Sequence, residues 1–66
     1  MWVVVQIAKS AESAAEAQKI LKDEGFLTKL REVYKGVPPE QNMYEIRVLA
    51  SEAQEAREIL LENQIE

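Results

Sequence analysis

Two kinds of hydrophobic pattern alternate along this chain, one with the period of a strand and one with the period of a helix. The residues from Trp2 to Ala8 form a short apolar run rich in β-branched side chains, which is typical of a buried strand. Side chains alternate between the two faces of a strand. The pattern therefore predicts two sets on opposite faces: Val3, Val5 and Ile7 on one, and Trp2, Val4 and Gln6 on the other.

Two later segments space their apolar residues three and four positions apart, as an amphipathic helix does. The first begins after Ser10, a favourable N-cap residue, and ends at Gly25, which can adopt the left-handed conformation that closes a helix. The second is predicted to begin after Ser51, with Gln54 completing a capping box. The two apolar stripes are Ala14, Ala17, Ile20 and Leu21, and Ala53, Ala56, Ile59 and Leu60.

Two further strands are predicted between the helices, from Phe26 to Tyr34 and from Met43 to Leu49. One glycine and two prolines exclude regular structure from the connection between them, residues 35–42. The side chains expected to face the helices and form the core are Val3, Val5, Ile7, Phe26, Leu30, Tyr44, Ile46 and Val48.

An internal repeat accompanies this order of elements. Residues 13–21 align with residues 52–60 at an offset of 39, and five of the nine positions are identical. Either the chain holds two βαβ units, the second cut off as its last strand begins, or two Ala/Glu-rich helices align by chance. In both cases the order β-α-β-β-α predicts one α+β domain over residues 1–66, with a ferredoxin-like sheet in the order 1-3-2 and both helices on one face. Strand four is missing or rudimentary, and whether residues 64–66 form it stays open.

Composition excludes most kinds of chemistry. The chain has neither cysteine nor histidine, so it can form no disulfide and no zinc site of the usual kind. It has no Gly-rich phosphate loop, and its carboxylates are expected on exposed helix faces, so we predict no catalytic, cofactor-binding or metal-binding residues and no enzymatic activity. The apolar N-terminal run is too short for a membrane span and no basic residue precedes it, so we expect a cytoplasmic protein.

The predicted sheet leaves strand one as an edge. That strand contains no lysine, proline or glycine to deter pairing with another chain. A domain of 66 residues without a disulfide also has little buried surface to stabilise it. We therefore predict a homodimer, or a complex with a protein partner, that forms through strand one.

The sheet face away from the helices is expected to combine apolar and basic side chains. Three interpretations are open: a solvated face with ion pairs from Glu45 to Lys29 or Arg31, an association surface, or a surface for a ligand or nucleic acid. The net charge of −4 argues against general nucleic-acid binding. The predicted members of this face are Trp2, Val4, Gln6, Lys29, Arg31, Met43, Glu45 and Arg47.

The connection between strands two and three is the one irregular segment long enough for a function of its own. Its candidate residues are Gly36, Val37, Pro38 and Pro39. The alternative is a hairpin connection that the two prolines merely stiffen.

Segments spread along nearly the whole chain carry a resemblance to a known family. They are residues 1–8 (MWVVVQIA), 24–31 (EGFLTKLR), 36–38 (GVP), 44–48 (YEIRV), 51–52 (SE) and 56–60 (AREIL). They resemble very short bacterial proteins, mainly from Firmicutes, that are related to the prokaryotic signal-transducing protein domain. The resemblance implies a compact α+β fold related to ferredoxin-like and nitrogen-regulator-like sheets, and no known substrate. Some members carry the label glutamate decarboxylase, but a pyridoxal-phosphate enzyme needs several hundred residues and a cofactor lysine in a deep site.

These observations favour a non-enzymatic interaction or regulatory module that forms a homodimer. The alternative is a small-molecule sensor with its ligand at a dimer interface near residues 35–42. A less favoured alternative is a nucleic-acid binder that uses Trp2, Lys29, Arg31 and Arg47. No association with a membrane is expected.

Overall fold

The computed structural model describes residues 1–63 and confirms the order β-α-β-β-α. The elements are β1 (Trp2–Ala8), α1 (Ala11–Asp23), β2 (Lys29–Glu32), β3 (Tyr44–Leu49) and α2 (Ala53–Glu62), with short 3-10 turns at Pro39–Gln41 and Ala50–Glu52. The strands pair antiparallel in the order β1-β3-β2, which within these residues is a ferredoxin-like sheet without strand four. The candidate for that strand, residues 64–66, lies outside the described residues.

Both helices pack on one face of the sheet, over β1 and β3. Four helix alanines are buried there, and their small side chains let the helices lie close to the sheet and to each other. β2 lies beyond the helices, so Leu30, which was expected in the core, is 39% exposed. The buried apolar residues are Ala8, Ala14, Ala17, Leu21, Phe26, Ile46, Val48, Ala53, Ala56 and Leu60, with Val3, Val5, Tyr44 and Ile59 packed partly buried against them.

Local sequence explains both ends of α1. The Ser10 hydroxyl accepts a hydrogen bond from the Ser13 N–H at 3.0 Å, so Ser10 is the N-cap that the sequence predicted. At the other end Gly25 has a φ of +93°, and the N–H groups of Gly25 and Phe26 donate to carbonyls of the last helical turn at 2.9 and 3.0 Å. This pair of bonds is a Schellman motif, which closes the helix and directs Phe26 into the core.

The second strand comprises only Lys29–Glu32, rather than residues 26–34, because its expected ends make other bonds. At the start, the Phe26 N–H belongs to the helix cap and the side chain is buried. At the end, the Tyr34 N–H donates to the Asn42 side chain at 3.0 Å. Neither residue is therefore free to extend the strand ladder.

The start of α2 also differs from the prediction. Ala50–Glu52 form a 3-10 turn, and α2 follows without a side-chain capping bond. The Ala50 N–H donates to the Met1 carbonyl at 2.8 Å and so continues the ladder between β1 and β3. Because this bond fixes the chain at Ala50, Ser51 lies exposed inside the turn, and it forms no capping box with Gln54.

A β-bulge in β1 changes which side chains share a face. Val4 and Gln6 pair with consecutive residues of β3, so Val5 is an extra residue in β1. A shift of one residue reverses the alternation that follows. Gln6 is brought to the helix side, opposite the fully buried Ile46, and Ile7 is moved to the other face, where it is 47% exposed. The predictions that Ile7 faces the core and that Gln6 shares a face with Val4 are therefore wrong.

Substituting Ile7 with threonine tests the bulge. Because Ile7 is half exposed, Ile7→Thr should lower the free energy of unfolding by less than about 1 kcal/mol. The matched change in the core, Val48→Thr, buries a hydroxyl and should lower it by about 1–3 kcal/mol. Urea unfolding followed by circular dichroism measures both values, and equal losses would mean that Ile7 faces the core.

Candidate interaction surface

The open face is the face of the sheet opposite the helices. Strand pairing and the bulge separate its apolar side chains from its charged ones, because β1 supplies only apolar residues and β2 supplies two cations. β3 lies between them and supplies both kinds. The members of the open face are Trp2, Val4 and Ile7 from β1, Glu45, Arg47 and Leu49 from β3, and Lys29 and Arg31 from β2.

Lys29 connects the two sides of the open face. Its ammonium nitrogen lies 4.4 Å from the centre of the Trp2 ring, although β3 separates the two strands that carry these residues. This distance is within the range of a cation–π interaction, which stabilises by about 0.5–1 kcal/mol at an exposed site. The contact places a cation over one face of the indole ring and restrains Trp2 at the end of β1.

The carboxylate at the centre of the open face is already paired. Glu45 Oε1 accepts hydrogen bonds from Arg47 Nη2 at 2.8 Å and from Arg47 Nε at 3.2 Å. The pair thus runs along β3, rather than across strands to Lys29 or Arg31. Arg31 lies opposite Glu45 in the register, yet it forms no ion pair within residues 1–63. The β2 cations therefore keep their charge available.

Among residues 1–63, few groups protect the outer edge of β1. The Ala50–Met1 hydrogen bond sets the alternation of the ladder, which directs the peptide groups of Trp2 and Val4 away from β3. One of these groups is engaged, since the Val4 carbonyl accepts a hydrogen bond from Arg57 Nη2 of α2 at 3.4 Å. That bond is long and its donor is exposed, so it is weak. Within the described part of the chain, the edge therefore retains peptide groups that a further strand can pair with.

Asn42 ties the base of the hairpin between β2 and β3, and it is 1% exposed. Its Oδ1 accepts hydrogen bonds from the N–H groups of Tyr34 and Met43 at 3.0 and 2.8 Å. Its Nδ2 donates to the Tyr34 carbonyl at 2.7 Å and to Glu32 Oε2 at 3.1 Å. These four bonds, named here the Asn42 clamp, use both donors and the acceptor of the amide and hold β2 against β3.

The candidate loop residues lie beyond the Asn42 clamp. Gly36 has a φ of +73°, a conformation that favours glycine. Val37 is half-buried, whereas Pro38 and Pro39 are exposed, and Pro38 leads into the turn Pro39–Gln41. Because this loop joins β2 to β3, β3 separates it from the outer edge of β1.

The structure brings together most of the residues predicted for this surface. One of them is displaced, because Gln6 lies on the helix side. Met43 lies one residue before β3, and its carbonyl accepts a hydrogen bond from the Val33 N–H at 2.9 Å, which continues the pairing with the β2 side of the hairpin. Those that share the open face are Trp2, Val4, Lys29, Arg31, Glu45 and Arg47.

Sequence reasoning missed three residues of these surfaces. Leu49 continues the alternation of Glu45 and Arg47, so the pattern contained its signal. No residue of β1 marks the bulge, so the pattern held no signal for Ile7. Asn42 had a weak signal, because asparagine side chains often bond backbone groups in turns.

No protein-family model matches this chain, and no match is found among curated proteins or solved structures. The resemblance to the signal-transducing protein domain therefore stays a prediction. Over residues 1–63 the fold encloses no pocket, and no three acidic side chains converge in a way that could hold a metal ion. Neither helix in this range is long and apolar enough to cross a membrane.

Proposed function

We propose that this protein is a cytoplasmic, non-enzymatic interaction module that forms a homodimer through the outer edges of two β1 strands. The observation that carries the proposal is the chemistry of that edge. The peptide groups of Trp2 and Val4 point outward, and every residue of β1 except Gln6 is apolar. Edges that resist pairing carry lysine, proline, a bulge or a short strand. β1 is seven residues long and contains neither lysine nor proline, and its bulge at Val5 leaves the stretch from Trp2 to Val4 regular.

A second copy of the chain is the partner that this edge fits. Two β1 strands can pair antiparallel about a two-fold axis, which is the commonest symmetry of soluble dimers. The result is one six-stranded sheet in the order 2-3-1-1-3-2. Pairing also brings the open-face residues of both β1 strands, including Val4 and Ile7, side by side as apolar cross-strand neighbours. Such neighbours supply burial that a small domain needs.

The family resemblance implies that this interaction module has a regulatory role. The small-molecule alternative places a ligand at the dimer interface near residues 35–42. No observation favours it, because β3 separates that loop from the outer edge of β1. The single-protomer fold offers no pocket over residues 1–63 either, so a second chain would have to complete such a site.

Val4→Pro tests the homodimer. Val4 belongs to a pair in which the N–H points outward, so proline removes a donor from the edge without removing a bond to β3. The dimer loses this donor twice, once from each chain, so its dissociation constant should rise about tenfold or more. Sedimentation equilibrium at increasing protein concentration measures the constant, and circular dichroism shows that the variant is folded.

A second variant, Val4→Lys, tests the same edge without the backbone change that could impair folding of Val4→Pro. Val4→Lys places two lysines near each other across the two-fold axis and should also weaken the dimer. Ala15→Lys makes the same change of charge on the exposed side of α1 and should leave the dimer intact. A wild-type chain that sediments as a monomer throughout, or a Val4→Lys chain that dimerises as Ala15→Lys does, would refute pairing through β1.

A further inference from the structure

We propose that the open face docks one amphipathic helix of a partner protein, with its apolar side on β1 and acidic residues beside β2. This inference deepens the proposed role as an interaction module by naming its kind of partner. It does not depend on the homodimer, because the open face and the outer edge of β1 are different surfaces.

The dimensions of the open face match one helix. Three strands spaced about 4.8 Å apart present a face roughly 10–14 Å wide, and a helix with its side chains is about 10–12 Å across. The seven residues of β1 span about 23 Å, the length of a helix of about 15 residues. The smallest extent of the fold, 15 Å between Cα atoms, is that of one sheet and one helix layer. A docked helix would add the third layer.

The chemistry of the open face selects the character of that helix. Ile7 is 47% exposed, and it lies on the same side as Val4 and Leu49, so the β1 side offers apolar surface to cover. Lys29 and Arg31 border this surface along β2 and have no carboxylate partner within residues 1–63. The whole chain carries a net charge of −4, so these cations form a local positive border on an acidic protein. A partner helix with complementary charge therefore carries acidic residues on the side that faces β2.

Two other occupants fit less well. Single-stranded nucleic acid needs aromatic rings for stacking, but Trp2 is the only aromatic residue on the open face, and Lys29 covers one side of its ring. The chain's own helices are acidic, but docking α2 of one copy on the open face of the next is a head-to-tail contact, which builds rings or open chains instead of the two-fold dimer proposed above. A helix from a different protein avoids both problems.

Trp2 provides the test, because it is the sole tryptophan of the chain and lies on the open face. The probe is a synthetic helical peptide of about 15 residues with leucines at helical spacing and glutamates on both borders of the stripe. Its twin carries lysines in place of the glutamates. The acidic peptide should shift the Trp2 emission to shorter wavelength in a saturable way, and added salt should weaken its binding. The basic twin should bind at least about tenfold more weakly.

Variants separate docking from nonspecific attraction. Two variants reverse the charge of β2: the single variant Arg31→Glu and the double variant Lys29→Glu/Arg31→Glu. The single variant leaves the Lys29–Trp2 contact in place. Each should weaken the binding of the acidic peptide about threefold to tenfold. Lys19→Glu with Lys22→Glu makes the same total change of charge as the double variant, but on α1, and should leave binding unchanged. Anisotropy of a labelled peptide supplies a readout that does not depend on the Trp2 environment.

Each outcome has a defined meaning. Equal binding of both peptides, no saturable change with the acidic one, or tighter binding of an oligothymidylate would overturn the docking proposal. A dimer that binds no peptide refutes docking alone, and a monomer that binds the acidic peptide refutes the homodimer alone.

Discussion

Replacing Asn42 with alanine is expected to lower the free energy of unfolding by about 2–4 kcal/mol, because it removes four hydrogen bonds that contribute about 0.5–1.5 kcal/mol each. The Asn42 side chain serves two N–H groups, one carbonyl and the Glu32 carboxylate, and Asn42 is 1% exposed. A domain of this size has a total stability of only about 3–10 kcal/mol. The substitution should therefore remove a large fraction of it.

Urea unfolding of Asn42→Ala measures this loss, and Gln41→Ala, at the exposed neighbouring position, is the matched control. Asn42→Asp keeps the acceptor but turns a second oxygen toward Glu32, so it should also destabilise the fold. Adding Glu32→Gln supplies a donor opposite that oxygen. The double variant Asn42→Asp/Glu32→Gln should therefore recover part of the free energy of unfolding that Asn42→Asp loses. If Asn42→Ala lowers the free energy of unfolding no more than Gln41→Ala does, the Asn42 clamp does not stabilise the hairpin.

Replacing Ile46 with alanine is expected to lower the free energy of unfolding by about 2–5 kcal/mol, the range for truncating a large buried aliphatic side chain. Ile46 is fully buried at the middle of the central strand, with β1 on one side and β2 on the other. Four of the six buried helix residues are alanines, whose short side chains cannot fill the cavity. The variant should be partly unfolded at room temperature.

Leu30→Ala is the matched control for Ile46→Ala. Leu30 lies opposite Ile46 in the register, but it is 39% exposed because the helices do not cover β2. Its truncation should lower the free energy of unfolding by only about 1 kcal/mol, in proportion to the smaller area that it buries. If urea unfolding gives similar losses in the free energy of unfolding for Leu30→Ala and Ile46→Ala, a helix must cover β2.

The clamp and the core also matter for the proposed interactions. Lys29 and Arg31 belong to an edge strand of four residues, all of them exposed. The Asn42 clamp and the pairing with β3 are what position these cations beside the apolar half of the open face. An Asn42→Ala chain that stays folded should therefore dock the acidic peptide more weakly.

Much of the candidate surface could be predicted from the sequence. Lys29, Arg31, Glu45 and Arg47 were placed on the open face by simple alternation, because β2 and β3 pair without irregularity. Gln6 was misplaced, because a bulge arises from how two distant segments pair. A one-residue shift exchanged Gln6 for Ile7 and made the open face more apolar than the pattern indicated.

The sequence by itself determined the order of elements, the strand order and the faces that the helices bury. These depend on local periodicity and on caps such as Ser10 and Gly25, whose bonds span only a few residues. The tertiary structure alone decided the bulge in β1, the short β2 and the Asn42 clamp. The bulge depends on the register between β1 and β3, which are far apart in the chain, and no local preference specifies that register. The end of β2 and the clamp depend on which groups Asn42 bonds once the hairpin has formed, and those bonds reach back to Tyr34 and Glu32.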